Sequence, residues 1–169
     1  MDVAVVVGNP KANSRTLDAA KMVAEAVTAD LPATVVDVIT LGPGLLGWGD
    51  ESVAGAVRSV AAADVVVVGS PTFKATYCGV LKLFLDQFET GEGLRDVVAV
   101  PLMLGAGPAH ALAPDLLLKP VLVELGATTP APGLYLSESG YREDSAISDY
   151  AQRWGPALIA AAKERTVSR

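Results

Sequence analysis

Residues 3–7 read Val-Ala-Val-Val-Val, five apolar side chains with no polar residue between them. In an extended segment successive side chains point to opposite faces, so a strand with one wet face alternates apolar and polar. A run without alternation needs cover on both sides. It therefore predicts a strand of a parallel sheet held between two layers of helices, and the run stops at Gly8.

Such runs return every few tens of residues, with helical patterns between them. From Ser14 to Ala29, Leu17, Ala20, Val23, Ala24 and Val27 fall on one helical face, with Asp18, Lys21, Glu25 and Thr28 on the other. A second strand is predicted over Ala33 to Ile39, a helix over Ser52 to Ala62 and a third strand over Asp64 to Gly69. The turn Ser70-Pro71-Thr72-Phe73-Lys74 follows, then a helix to about Phe88 with Leu81, Phe84, Leu85 and Phe88 inward. Val97 to Leu104 reads as a fourth strand. His110 to Leu125 reads as a helix that Pro120 must bend or divide, with Gly126 at its stop. Leu134 to Leu136 is a short fifth strand. A last helix spans Asp144 to Arg165, with Ile147, Tyr150, Ala151, Trp154, Leu158 and Ala161 inward and Gly155-Pro156 as a kink.

Five strands alternating with helices predict an α/β fold, a flavodoxin-like doubly wound parallel sheet in three layers, α/β/α. A six-stranded Rossmann domain is the competitor. With 169 residues and 51% hydrophobic side chains, a single domain over residues 1–169 is expected. The net charge of -6 has the wrong sign for gripping nucleic acid or an anionic membrane by bulk attraction. A mean hydropathy of +0.40 raises the question of a spanning helix. The uncharged stretch Val97 to Pro114 is broken by Pro101, Gly105, Gly107 and Pro108, so a core segment is expected there instead. The chain enters its valine run directly after Met1-Asp2, with no basic leader region, and a cytoplasmic location is the expectation. One cysteine, Cys78, excludes an internal disulfide and any multi-Cys metal site, and one histidine excludes a multi-His site.

In doubly wound sheets the ligand crevice lies beyond the carboxyl ends of the strands. After the first strand comes GNPKANSRT, residues 8 to 16, which brings Asn9, Lys11, Ser14, Arg15 and Thr16 to a helix start. Free amides, the positive helix end, hydroxyls and two cations suit a phosphate dianion. An ordinary turn with Asn13 or Ser14 as N-cap is the plainer alternative. The G-x-G-x-x-G dinucleotide fingerprint is missing here, which weakens an NAD-binding Rossmann reading. After the third strand, Pro71, Thr72, Phe73 and Lys74 set a rigid proline beside an aromatic ring and a cation. After the fourth, Gly105, Ala106 and Gly107 let a planar ring approach backbone amides. His110 reads as a helix N-terminal residue, Cys78 as a packed side chain, and Trp48 and Trp154 as packing residues.

These loops resemble the NAD(P)H-dependent FMN reductases of flavodoxin-like fold, above all those that serve sulfonate-desulfonating monooxygenases. The resemblance runs from Val3 to about Ser139. Its most specific parts are GSPTFKATYCGVLKLFLDQF, residues 69 to 88, and GAGPAHALAPDLLLKPVLVELGA, residues 105 to 127. By this resemblance Ser14, Arg15 and Thr16 meet the FMN phosphate, Pro71 to Lys74 border the isoalloxazine, and Gly105, Ala106 and Gly107 face its pyrimidine edge. It implies hydride transfer from NADH or NADPH to FMN, with proximity and ring electrostatics in place of an acid–base pair. It also implies a homodimer or homotetramer, and a flavin-dependent monooxygenase as recipient of reduced flavin. The apolar segment Leu116 to Leu125 points to self-association as well. An FMN-containing quinone or azo-compound reductase and a flavodoxin-type electron carrier are the alternatives. Three positions depart from the family pattern: Asn9 stands where Ser is usual, Leu104 where Thr is common, and Ala106 where a second Gly is expected.

Overall fold

In a computed structural model residues 1–167 are described, with side chains described through residue 164. Strand β1 (Val3–Val7) is buried at all five positions. Val3, Val5 and Val7 face one hydrophobic cluster and Ala4 and Val6 face another, so each side of the strand has its own helix layer. Helix α1 (Arg15–Thr28) packs the expected face inward and ends at Ala29, which takes the left-handed conformation at φ 59°. Strand β2 is Thr34–Asp37. The expected extension to Ile39 instead begins a 3-10 segment over Val38–Leu46, turned by Gly42 at φ 64°. Helix α2 (Glu51–Ala61) is capped by Asp50, whose carboxylate accepts from the Ser52 and Val53 amides.

Strand β3 runs Val65–Phe73, four residues beyond the expected end at Gly69. Pro71 does not turn the chain, because at the far end of the strand the missing amide breaks no essential ladder. The reversal comes at Lys74 and Ala75, both left-handed at φ 51° and 70°, and returns antiparallel as β4 (Thr76–Tyr77). Helix α3 is Gly79–Leu85 and strand β5 is Val98–Gly105. Pro101 is accommodated inside β5 just before its pairing with β6 begins at Leu102. The helix expected from His110 to Leu125 is in pieces: a 3-10 turn at Pro108–His110, a π turn at Pro114–Leu118, and α4 (Lys119–Glu124). Pro120 has no amide to donate and its ring crowds the turn before it. The wider π turn, closed by the Lys119 amide on the Pro114 carbonyl, makes room for it. Strand β6 is Leu134–Ser137 and helix α5 is Ala146–Val167, continuous across Gly155 and Pro156.

The sheet order is β2-β1-β3-β5-β6, parallel throughout, with β4 paired to β3 alone. With the hairpin strand set aside this is the flavodoxin-like order, and the six-stranded Rossmann alternative is not what forms. Burying each valine of the central strands contributes roughly 1.5–3 kcal/mol as an upper bound. Helices α1 and α5 cover one face; α2, α3 and α4 cover the other. Among the described residues no helix is long and apolar enough to cross a membrane.

Candidate functional site

The three segments singled out in the sequence meet at the carboxyl edge of the sheet, where β1, β3 and β5 end. In the first, the Gly8 amide donates to the Gly69 carbonyl at 3.0 Å, which fixes the loop's exit from the sheet. Asn9 then organises it. Its side-chain oxygen accepts from the Lys11 amide at 2.9 Å, and its amide nitrogen donates to Thr16 Oγ1 at 3.1 Å. Asn13 sits left-handed at φ 51° and donates its amide to Asp37 Oδ2 at 2.8 Å. Ser14 is the N-cap, accepting from the Leu17 amide at 3.2 Å. The capping alternative is thus realised at Ser14, and it is compatible with a ligand site. The amides of Arg15 and Thr16 have no partner among the described residues, and they lie at the positive end of a 14-residue helix. Lys11 and Arg15 are exposed beside them. The Arg15 guanidinium donates to the Glu138 carbonyl at 3.3 Å.

In the second segment Ser70 is fully buried. Its hydroxyl accepts from the Cys78 amide at 2.9 Å and donates to the Pro71 carbonyl at 2.8 Å, which closes the hairpin. Cys78 is packed as expected, its thiol donating to the Gly8 carbonyl at 2.9 Å. Phe73, the last residue of β3, is 48% exposed, and Lys74 is exposed at the turn. Thr72 is different: its Oγ1 is buried and has no hydrogen-bond partner.

Thr72 lines a cavity of about 550 Å³ together with Gly105, Ala106, Gly107, Pro108, Ala109, His110 and Tyr135. A side chain at Gly105 would put its Cβ 1.9 Å from the Tyr135 hydroxyl, so any larger residue there must push the Tyr135 ring aside. Tyr135 donates to the Gly107 carbonyl at 2.8 Å. A second, apolar cavity of about 440 Å³ shares Pro108, Ala109 and His110 and continues to Ala75, Leu112, Ala113, Leu116 and Leu117. Ala106 lines the first cavity, whereas Leu104 is 1% exposed and packs in the core, so its substitution reaches no ligand directly. The two ends of the site are joined through the backbone of one residue. The Glu138 amide donates to the Gly105 carbonyl at 3.0 Å, and its own carbonyl receives Arg15.

Several residues depart from expectation. His110 ends a 3-10 turn rather than starting a helix, and stands exposed on the wall shared by both cavities. Trp48 is not a packing residue: it is 78% exposed, carried out by the 3-10 segment and its following turn. Trp154, by contrast, packs as expected, half-buried against the core under α1 and α5, with the Arg153 guanidinium 5.0 Å from its ring centroid. Asp37, Tyr135 and Glu138 belong to the site and were not anticipated. Asp37 and Glu138 follow from the same rule about strand ends, applied to β2 and β6.

The arrangement holds and orients. Cations and free helix amides at one end suit a dianion, and the glycine loop beside an unpartnered hydroxyl suits a flat ring with a polar edge. These donors fit FMN, a phosphate joined by a flexible chain to a planar heterocycle.

A family model described as NADPH-dependent FMN reductase matches residues 1–141. The chain is 36% identical over 107 residues to an FMN reductase (NADPH) of Pseudomonas putida strain KT2440, a match covering 63% of this chain and 50% of that protein. It is 31% identical over 147 residues to the NADH-dependent FMN reductase SfnF of Pseudomonas putida, covering 82% of this chain and 78% of that protein. The chain thus spans about half the length of the first of these relatives and more of the second. Among solved structures, the apo form of NADH:FMN oxidoreductase EMOB superposes with a TM-score of 0.80 at 28% identity, over 96% of this chain and 89% of that one.

Proposed function

The chain belongs to the NADPH-dependent FMN reductase family, and from that premise we propose that it is an NAD(P)H:FMN oxidoreductase, a single flavodoxin-like domain over residues 1–169 that passes a hydride from NADH or NADPH to FMN. The observation that carries the reading is the meeting of two unlike ends along one edge of the sheet. Free amides and cations stand at the α1 start, and a glycine-floored cavity stands at the end of β5 beside Thr72 of β3 with its orphaned hydroxyl.

FMN, when bound, supplies two-electron redox chemistry that no side chain offers. The protein's part is to hold and expose. The amides of Arg15 and Thr16, with Ser14, Lys11 and Arg15, take the phosphate, and Asn9 keeps the loop in shape for it. Pro71 to Lys74 wall one side of the ring, with Phe73 at the open rim where a nicotinamide can stack. Gly105, Ala106 and Gly107 bring backbone amides to the ring's polar edge, where fixed dipoles stabilise negative charge. No general acid is assigned, because hydride transfer needs none.

A homodimer or homotetramer is part of the proposal. Leu46, Trp48, Leu83, Leu112, Leu116, Leu117 and Val123 are exposed large apolar residues, and all belong to the layer of α2, α3 and α4 or the segments leading into it. Residues of α1 and α5 do not appear among the exposed large hydrophobics described. One layer is therefore left to be covered by another copy. A flavin-dependent monooxygenase taking up the reduced flavin, in the cytoplasm, completes the reading.

The test is steady-state NAD(P)H oxidation with and without added FMN, compared with a quinone. Oxidation that depends on FMN supports the reductase; oxidation that needs the quinone points to a quinone reductase. Failure of either nicotinamide to reduce bound FMN favours an electron carrier. Arg15→Ala weakens FMN far more than riboflavin; equal loss of both in a fluorescence titration shows that Arg15 does not meet the phosphate.

A further inference from the structure

Tyr135 reaches the cavity from β6, where Met103 of β5 is its register partner. Its phenol oxygen lies against the Gly105 α-carbon, and its proton goes to the Gly107 carbonyl. Two glycines on either side of Ala106 are thus tied to one side chain, the first by contact and the second by a hydrogen bond. With that proton committed, the phenol oxygen still has lone pairs able to accept.

The Thr72 hydroxyl approaches the same point from β3, 3.4 Å from the place a Gly105 Cβ would take. It is buried and unpartnered, a costly condition that a ligand relieves. The two oxygens therefore flank one α-carbon, one with acceptor capacity and the other with a free donor. A phenylalanine at 135 would fill nearly the same volume, yet would leave the Gly107 carbonyl without its partner.

We propose that Tyr135 is the positioning residue of the 105–107 loop and that Tyr135 and Thr72 together read the polar edge of a planar heterocycle bearing neighbouring carbonyl and N–H groups. The assignment rests on the flavin reading above. It separates the determinants of the site into a phosphate end at residues 8–16 and a ring end at 72 and 135.

The experiment is a fluorescence titration of the full chain with FMN and with riboflavin, for the parent, Tyr135→Phe, Thr72→Val and the double variant. Each single variant should weaken both ligands by the same factor, about 3- to 10-fold, the effect of one lost neutral hydrogen bond. The double variant should lose less than the product of the singles, because both act on one loop. The visible absorption band of bound riboflavin should shift in each variant, a change that a merely structural role would not produce. Ligand-free Thr72→Val should melt no lower than the parent, since it loses an unpartnered buried hydroxyl, and Tyr135→Phe should melt within a few degrees of it, since it loses one hydrogen bond. Unchanged affinity in either single variant, loss confined to FMN, or an unshifted band overturns the inference and leaves the flavin reading standing. A parent chain that binds neither flavin overturns both.

Discussion

Gly8 and Gly79 lie at the two sides of the contact between the first loop and α3, and a methyl group added to each should have opposite effects. At Gly8 an ideal Cβ falls 2.3 Å from the Leu81 Cβ, 2.4 Å from its Cα and 2.5 Å from its amide nitrogen. Ordinary contact begins at 3.4 Å, so α3 must retreat by about 1 Å. No rotamer change can relieve this, since the nearest atoms are backbone and Cβ; Leu81→Ala would leave all three in place. Gly8 has no positive φ, so the cost is steric and not conformational. Overpacking against a helix backbone, with strain on the Cys78 contact to the Gly8 carbonyl, puts Gly8→Ala at about 3 kcal/mol destabilising. For a domain of this length that lowers the melting temperature by roughly 6–12 °C. At Gly79 nothing lies within 4 Å of the added carbon. Gly79→Ala at the start of α3 should gain up to about 1 kcal/mol, a rise of zero to a few degrees. Thermal melts of both variants by circular dichroism decide the matter. If Gly8→Ala melts within about 2 °C of the parent, or the two variants move together, the claim that α3 rests on the bare Gly8 backbone is wrong.

Burial, and secondarily the Asp115 carboxylate, push the Tyr150 phenol well above its ordinary value of 10.0. The protonated form is the one the fold favours, so its contribution is complete below pH 10 and is lost as pH rises above that; melting curves between pH 8 and 11 should fall less steeply for Tyr150→Phe than for the parent. His110→Ala should keep most of the FMN reduction rate in stopped-flow measurements, because the imidazole stands exposed on a cavity wall; a loss of several orders of magnitude with FMN still bound would give it a catalytic part. Leu116→Glu places a charge on a residue that is 66% exposed, and sedimentation should show the assembly falling to 17.3 kDa particles while the monomer stays folded; an unchanged oligomer refutes the assignment of that face.

The parts of the fold legible in the sequence are those where one physical demand acts alone. Val3–Val7 has only to be covered on both faces, and its composition says so. The same clarity located α1, whose cap, inward face and polar face agree. The reading failed where two demands compete. Ser70-Pro71 carries the composition of a turn, yet β3 runs through it, because Pro71 pairs with Leu104 at the strand's end and the actual turn uses Lys74 and Ala75 in a conformation rarely taken by such residues. The helix expected at 110–125 is apolar enough, but Pro108 just before it and Pro114 and Pro120 within it divide the hydrogen bonding among three helix types. Trp48 misled because an apolar side chain does not announce whether it packs within the chain or against another. In the site, the three loops were legible through the rule of strand ends. Tyr135 was not, since its contact with Gly105 depends on how far β6 slides along β5, a distance no local spacing encodes.

The backbone of Glu138 has one donor and one acceptor, on the two peptide groups that flank its α-carbon, and gives each to a different loop. In mechanical terms it is a tie-rod across the mouth of the cleft, with the ring floor on one end and the phosphate loop on the other through Arg15. A cleft braced in this way changes width as a unit, because neither lip can drift without loading the other through the two peptide groups that meet at the Glu138 α-carbon. The spacing between the two ends is therefore gauged by the Glu138 backbone together with the reach of the Arg15 side chain. Lengthening the 137–141 segment by one residue would leave every ligand-facing group present and remove the ruler that sets them apart.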